Sequence, residues 1–255
     1  ASVSLEYGYD DWTIYNMARM MGRKEIPNKY LKRAAAYKHL VDEKLGFIRP
    51  KDSSGNMKPD FDVLDTHGQG FIEGNSWNYT FYVPHDVYGL ARLMGGKKSF
   101  INKLQMIFDE GLYDPANEPD IAYPYLFSYF KGEEWRTQKE TQRLLAKYFT
   151  TQPDGIPGND DTGTMSAWAI FNMIGFYPDC PGLPEYTLTT PVFDKVTIRL
   201  DPKWYKEREL VIESTRQKPD ALYIHNVKIG GKKINRFRIT HEELVHGGLL
   251  EFSIR

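Results

Sequence analysis

The feature that most constrains the fold is a change in hydrophobic period at Pro184. Before it, apolar residues recur every three or four positions, as they do on the buried face of a helix. After it, apolar and polar residues alternate, as over residues 196–200, which is typical of half-buried strands. We therefore predict a mainly α chain with a β part. Helical hairpins occupy residues 1–183, and antiparallel strands follow over 184–255.

The helical portion divides at recognisable start and stop signals into seven predicted helices. The adjacent acids Asp10 and Asp11 precede the first, Ser99 is expected to cap the fourth, and Asp161 can cap the seventh. A loop rich in Gly, Asp, Ser and Pro fills residues 47–75. A structureless loop of that length in a compact chain is usually functional or disordered.

Composition excludes several classes of protein. With 255 residues the chain is long enough to bury a sizeable core, and its net charge of −1 favours neither nucleic acid nor an anionic membrane surface. No apolar run is long enough to span a bilayer. One cysteine, Cys180, allows neither an internal disulfide nor a cysteine-based zinc site.

The first candidate for chemistry lies in the segment FIEGNSWNYTFYVPHD. Glu73 stands beside Trp77, and a carboxyl group next to aromatic rings is desolvated, which suits a general acid. The alternative is an ordinary surface glutamate. We count Trp77 and His85 among the candidate substrate-binding residues, while the pair His85-Asp86 can equally well cap a helix.

Two further clusters combine acids with a helix start. Asn117, Glu118 and Asp120 supply the oxygen ligands that calcium prefers. The alternative without a ligand is a capped helix with a proline near its first turn. In GNDD, Asp161 can act as a cap, a general base or a metal ligand, since a helix start stabilises the ionised carboxylate.

Weaker signals lie nearer the start of the chain. Asp10 and Asp11 can bind sugar hydroxyls or simply cap a helix, and Arg49 can donate to hydroxyls or pair with an acid. The sequence contains no phosphate-cradling glycine loop, no serine nucleophile elbow and no HExxH zinc motif.

Taken together, these segments resemble glycoside hydrolase family 92, the calcium-dependent exo-acting alpha-mannosidases. The stretches that carry the resemblance are EYGYDDW, FIRP, EGNSWNYTFYVPHDVYGLARLMGG, NEP, GNDDTGTMSAWAIFNMIGFYPDCPG, EYTLTTPVFDKVTI and the late GG-L-F pattern. The resemblance implies part of an (α/α)6 barrel followed by strands. It also implies an N-terminal β-sandwich of the same polypeptide that is missing from this chain, a substrate among mannose-containing glycans, and secretion or a periplasmic location.

The resemblance assigns roles residue by residue. It implies that Glu73 is the general acid and Asp161 the general base of an inverting reaction. Asn159 stands where the family tends to have an acid.

The same resemblance implies where the sugars bind. It places Asp10, Asp11 and Arg49 at the terminal mannose, and Asn117 and Glu118 at the leaving-group sugar. It also implies calcium, for which Asp161 and Asp120 are the expected ligands from this chain.

Several alternatives remain at the level of sequence. The linkage can be alpha-1,2, alpha-1,3, alpha-1,6 or a mannosyl-phosphate diester. The chain can also be a catalytically incomplete fragment that acts as a carbohydrate-binding or structural module. A helical protein-interaction module is a third reading, and it predicts neither calcium nor sugar binding.

Overall fold

A computed structural model describes residues 1–25 and 27–255 and shows a mixture of helices and strands. The chain forms two compact units, Ala1–Tyr123 and Pro124–Arg255. The predicted boundary at 183/184 marks the change from helices to strands. It falls inside the second unit, since the helices of residues 134–174 belong to the same unit as the strands.

The first unit contains five α-helices and a short hairpin within its described residues. The helices are α1 (Ser2–Met20), α2 (Pro27–Ala34), α3 (Ser76–Thr80), α4 (Val87–Leu93) and α5 (Lys97–Asp109). The hairpin pairs β1 (Val41–Asp42) with β2 (Phe47–Ile48). Segments of 3-10 helix cover Ala35–His39 and Pro84–Asp86, and a longer one covers Glu118–Tyr129.

Helix α1 begins earlier than the sequence pattern predicts, so Asp10 and Asp11 lie in its middle rather than at its start. The buried positions of α1 are Ser2, Leu5, Gly8, Asp11 and Ala18. Because most of these side chains are small or polar, the hydrophobic pattern does not reveal the buried face. The expected cap at Ser99 is also wrong, because α5 starts at Lys97 and places Ser99 inside its first turn.

The second unit contains three α-helices and eight strands within its described residues. The helices are α6 (Glu134–Tyr148), α7 (Thr164–Ile174) and α8 (His241–Gly247). The strands are β3 (Phe176–Tyr177), β4 (Glu185–Leu188), β5 (Lys195–Arg199), β6 (Glu209–Arg216), β7 (Ile224–Ile229), β8 (Lys232–Ile234), β9 (Arg238–Thr240) and β10 (Leu249–Ile254). A 3-10 segment at Asp161–Gly163 precedes α7.

The strands form two sheets. One has the order β5-β6-β10-β7-β8, and the other has the order β3-β4-β9. The prediction of purely antiparallel strands is wrong in one respect, because β10 pairs with β6 in parallel. The intervening strands and α8 supply the crossover that a parallel pair requires. Leu188, Leu250 and Phe252 are among the residues of the core that both sheets share with α8.

Across residues 1–25 and 27–255, no helix is both long enough and apolar enough to cross a membrane.

Candidate active site

The loop of Glu73 is held in an unusual backbone conformation. Glu73 has φ 52°, in the left-handed region, and its carbonyl oxygen accepts a hydrogen bond of 2.8 Å from Asn117 Nδ2. Asn75 then caps α3 by accepting from the amide of Trp77 at 2.8 Å. The structure therefore brings two of the predicted site residues into direct contact, since the side chain of Asn117 binds the main chain of Glu73. We call residues 71–75 the acid loop.

The side chain of Glu73 is exposed, so the desolvation expected from its aromatic neighbour is absent from this chain. Trp77 is only 7 % exposed and packs edge-on against Phe47, with ring centroids 4.7 Å apart. An indole enclosed in this way has no open face for a sugar. Trp77 is therefore a core residue in this unit rather than a stacking platform.

Carboxylates gather around two tyrosines on the same unit. The pKa of Glu6 is raised by its burial and by the charges of Glu118 and Asp10. The pKa of Tyr82 is raised first by burial and then by the same three carboxylates. Asp10 and Glu118, both predicted from sequence, therefore lie near each other and near Glu6, which was missed. Its signal was its position four residues before Asp10, on the same face of α1.

Tyr79 connects this group of acids to the acid loop. Its hydroxyl donates to the carbonyl of Ile72 at 2.9 Å. Burial, together with the charges of Glu6 and Glu73, raises the pKa of Tyr79 to about 12. At neutral pH the hydroxyl therefore keeps its proton and remains a donor to Ile72 O between these two acidic side chains.

His85 belongs to an aromatic cluster beside these acids. Its ring stacks on Tyr9 with centroids 6.0 Å apart and lies 6.0 Å from Trp12. Burial lowers the pKa of His85, so its ring is neutral near pH 7. Nε2 lies 2.9 Å from the carbonyl oxygen of Ala34, which can only accept, so Nε2 carries the proton. The capping role open to this pair falls to Asp86, whose Oδ1 accepts from Gly89 N at 2.9 Å.

Two residues expected at the terminal mannose are engaged in ion pairs instead. Asp11 is 5 % exposed and pairs with Arg33 Nε at 2.8 Å. Arg49 donates to Asp42 Oδ2 at 2.9 Å and to the carbonyl oxygen of Lys58. The alternative in which Arg49 pairs with an acid is therefore the one observed.

Asp120, expected as a metal ligand, is engaged in hydrogen bonds within the protein. Its side chain is fully buried, and its Oδ2 accepts hydrogen bonds from Asn78 Nδ2 at 3.0 Å and from Asp114 N at 2.9 Å. Burial raises the pKa of this carboxyl well above its ordinary range. Residues 1–25 and 27–255 contain no group of three or more His, Cys, Asp or Glu residues suited to a metal ion.

The GNDD motif assigns the cap and the candidate base to different residues. Asp160 accepts from Ser166 N at 2.8 Å and from Ser166 Oγ at 2.7 Å, and these bonds lower the pKa of Asp160. Of the roles open to Asp161, the helix cap is not observed, because Gly163 is the N-cap residue of α7 and the first-turn amide of Ser166 is bound by Asp160. Asp161 and Asn159 are both exposed, and Asp161 has φ 34°. The side chain of Asp161 is thus left outside the helix cap.

Positive φ values mark both candidate catalytic residues. In the described part of the chain the non-glycine residues with positive φ are Asp60, Glu73, Asp161 and Thr162. Such a conformation costs about 1–2 kcal/mol per residue and persists only where the surroundings hold it. Two of these four residues are the candidate catalytic carboxylates, and the other two, Asp60 and Thr162, are not candidates.

Comparison with known proteins gives the same family as the motifs. The sequence model of the glycosyl hydrolase family 92 catalytic domain matches residues 1–255. A curated relative, an uncharacterized secreted glycosidase of Arthroderma benhamiae, is 27 % identical over 275 residues, which cover 99 % of this chain and 35 % of that protein.

Solved structures of the same family are similar over nearly the whole chain. A family GH92 alpha-mannosidase of Bacteroides thetaiotaomicron, in complex with mannoimidazole, superposes with a TM-score of 0.90 at 30 % identity and covers 98 % of this chain and 35 % of its own. An inverting family GH92 mannosidase of the same organism gives a TM-score of 0.88 at 33 % identity, covering 98 % and 36 %. The chain thus spans about a third of the length of these relatives.

Proposed function

The chain belongs to glycosyl hydrolase family 92, and from that premise we propose that it is the part of an exo-acting, inverting alpha-mannosidase that carries both catalytic carboxylates. The observation that supports this most is the family match over residues 1–255, which includes the loops of Glu73 and Asp161. Both residues have positive φ, a conformation that persists only where the surroundings hold it.

In the proposed mechanism Glu73 protonates the oxygen that leaves with the aglycone. Asp161 takes a proton from the water that attacks the opposite face of the sugar. Room for that water requires the two carboxyl groups of the active enzyme to lie roughly 6.5–9.5 Å apart. Asp160 supports this assignment by binding the first-turn amide of Ser166 in α7, since the carboxylate of Asp161 is then available to the water.

The acids around Tyr79 and Tyr82 are the proposed sugar-binding surface. Asp10 and Glu118 can accept hydrogen bonds from sugar hydroxyls, and the Tyr82 hydroxyl lies near both of them. The aromatic cluster of His85 and Tyr9 packs beside this surface, since Tyr9 contacts both His85 and Tyr82.

We propose that the rest of the enzyme comes from the longer polypeptide. An N-terminal β-sandwich would complete the pocket, and the helices of this chain would form part of an (α/α)6 barrel. The relatives, of which the chain spans about a third, support this proposal. The secreted relative supports secretion or a periplasmic location.

Calcium dependence is likewise proposed for the whole enzyme. Calcium would supply a hard cation that coordinates sugar hydroxyls. Asp161 is exposed and is the ligand proposed from this chain, whereas Asp120 is enclosed and its Oδ2 already accepts hydrogen bonds from Asn78 and Asp114.

The test uses the full-length polypeptide and a set of alpha-mannosyl disaccharides that differ in linkage, together with a mannosyl-phosphate diester. Proton NMR of the first turnovers should show β-mannose as the product formed first, since inversion of an alpha-mannoside gives the β anomer. EDTA should stop turnover, and added calcium should restore it. Initial release of α-mannose would contradict the mechanism. Mannose binding without turnover would favour the catalytically incomplete module instead.

A further inference from the structure

A network of buried polar side chains lies beneath the loop of Glu73. Asn78 Nδ2 donates to Asp120 Oδ2 at 3.0 Å, and Asn78 Oδ1 accepts from the backbone amide of Asn75 at 3.1 Å. Asn78 is 7 % exposed and Asp120 is fully buried. Oδ2 of Asp120 therefore holds the side-chain amide of Asn78, and this amide in turn binds the backbone of Asn75, two residues after Glu73.

The same oxygen also fixes the segment that carries Asn117. Asp120 Oδ2 accepts from Asp114 N at 2.9 Å, and the backbone amide of Asp120 donates to Asn117 O at 3.0 Å. These bonds close the turn of residues 114–120. Asn117 Nδ2 then reaches the carbonyl oxygen of Glu73 at 2.8 Å.

Gly74 shows how closely the two segments meet. A Cβ atom at Gly74 would lie 2.9 Å from Asn117 Nδ2, closer than real Cβ atoms approach, and 3.1 Å from Asn78 Oδ1, which is also tight. The two amides therefore clamp the peptide that follows Glu73. Such a clamp is the kind of surrounding structure that maintains a residue in the left-handed region, where Glu73 lies.

We propose that Asp120 is a positioning residue for the general acid, in that its Oδ2 joins the loop of Glu73 to the loop of Asn117 and so fixes the backbone from which the acid projects. This inference rests on the proposed role of Glu73 as the acid. It replaces the metal-ligand role expected of Asp120 from sequence.

Both hydrogen bonds of the Asp120 side chain use one oxygen. Oδ2 accepts them, whereas Oδ1 is buried and has no hydrogen-bond partner among the described residues. The amide oxygen of an asparagine can accept the same two bonds, so Asp120→Asn keeps the link between the two loops.

The experiment compares two variants in the full-length enzyme, Asp120→Ala and Asp120→Asn, on two substrates. One substrate is an unactivated alpha-mannosyl disaccharide, and the other is a dinitrophenyl alpha-mannoside, whose leaving group needs little protonation. Misplacing the acid should lower kcat for Asp120→Ala about tenfold or more further on the disaccharide than on the activated substrate. Asp120→Asn should keep the wild-type ratio of the two kcat values to within about threefold.

Thr80→Val is the matched control for general loss of packing. Thr80 is also fully buried on α3, but its Oγ1 accepts from Ile48 N, at 3.0 Å, away from the acid loop. It should affect both substrates equally. An equal loss on both substrates for Asp120→Ala, or failure of Asp120→Asn to restore the ratio, would overturn the positioning role.

Glu73→Gln separates this inference from the proposed function. If Glu73→Gln discriminates between the two substrates and Asp120→Ala does not, the acid assignment stands and the positioning role fails. If Glu73→Gln does not discriminate either, the acid assignment itself fails.

Discussion

At the residue scale, Asp160 and Asp161 of GNDD are neighbours but differ in backbone conformation and in role. Asp160 accepts two hydrogen bonds from Ser166, whereas Asp161 turns away with φ 34° and is followed by Thr162 with φ 57°. The sequence could not distinguish these acids, because either can cap a helix that starts nearby. The choice depends on the left-handed turn between the motif and α7, which propensity does not encode.

The strain at Thr162 is testable. Thr162→Gly should raise the free energy of unfolding by about 0.5–1 kcal/mol, because it relieves about 1–2 kcal/mol of strain at positive φ and removes only an exposed hydrogen bond from Thr162 Oγ1 to the carbonyl of Asp161, which contributes about 0.5 kcal/mol. Thr164→Gly is the matched control at a helical φ of −63°. It should lower stability by about 0.5–1 kcal/mol, since it removes a hydrogen bond to the carbonyl of Asp161 and a better helix former. Urea unfolding measures the free energy of unfolding of both variants. An equal increase in the two variants would contradict the claim that Thr162 is strained.

At the element scale, the three-stranded sheet is fixed by one buried acid. Asp179 accepts from Tyr129 OH at 2.9 Å, from Thr187 Oγ1 at 2.7 Å and from Arg238 NH1 at 3.0 Å. Its carboxylate is fully buried, and the Arg238 side chain is 16 % exposed. These contacts join β4, β9 and the segment before α6.

Asp179→Ala should therefore destabilise the protein by about 3–5 kcal/mol, because it removes the buried acceptor of Tyr129 and Thr187 and leaves Arg238 with only Glu185, at 3.3 Å, as an acidic partner. Glu213→Ala is the control, since it breaks the exposed pair with Lys195 at 2.9 Å and should cost less than about 1 kcal/mol. Thermal and urea unfolding measure both changes. Similar losses of stability in the two variants would show that the buried pair contributes no more than the exposed pair.

Helices and strands could be predicted from the sequence where the residues that are buried are also the apolar residues of the periodic pattern. The pattern placed β10 and most of α6 well, because their inward positions are apolar or regularly spaced. It failed at α1, whose buried face includes Ser2, Gly8 and Asp11. Parallel pairing of β6 with β10 was also missed, since period two reports which face is buried and says nothing about strand direction.

At the scale of the whole molecule, family membership was predictable from long motifs, whereas the contacts of single residues were not. Asp10 and Glu118 were found among the acids and tyrosines. Trp77, Arg49 and Asp11 proved to be enclosed or ion-paired, because the partners Phe47, Asp42 and Arg33 lie far from the motifs in sequence. Motifs therefore identified the loops, and packing decided which side chains face outward.

The most direct test of the central claim is kcat of Glu73→Gln in the full-length enzyme on an unactivated alpha-mannosyl disaccharide. Loss of the general acid should lower kcat by about 100-fold or more, with an unchanged unfolding midpoint, because the side chain is exposed and the amide is nearly isosteric. Glu110→Gln, at an exposed glutamate after α5, should leave kcat unchanged. Near-normal turnover by Glu73→Gln would contradict the account.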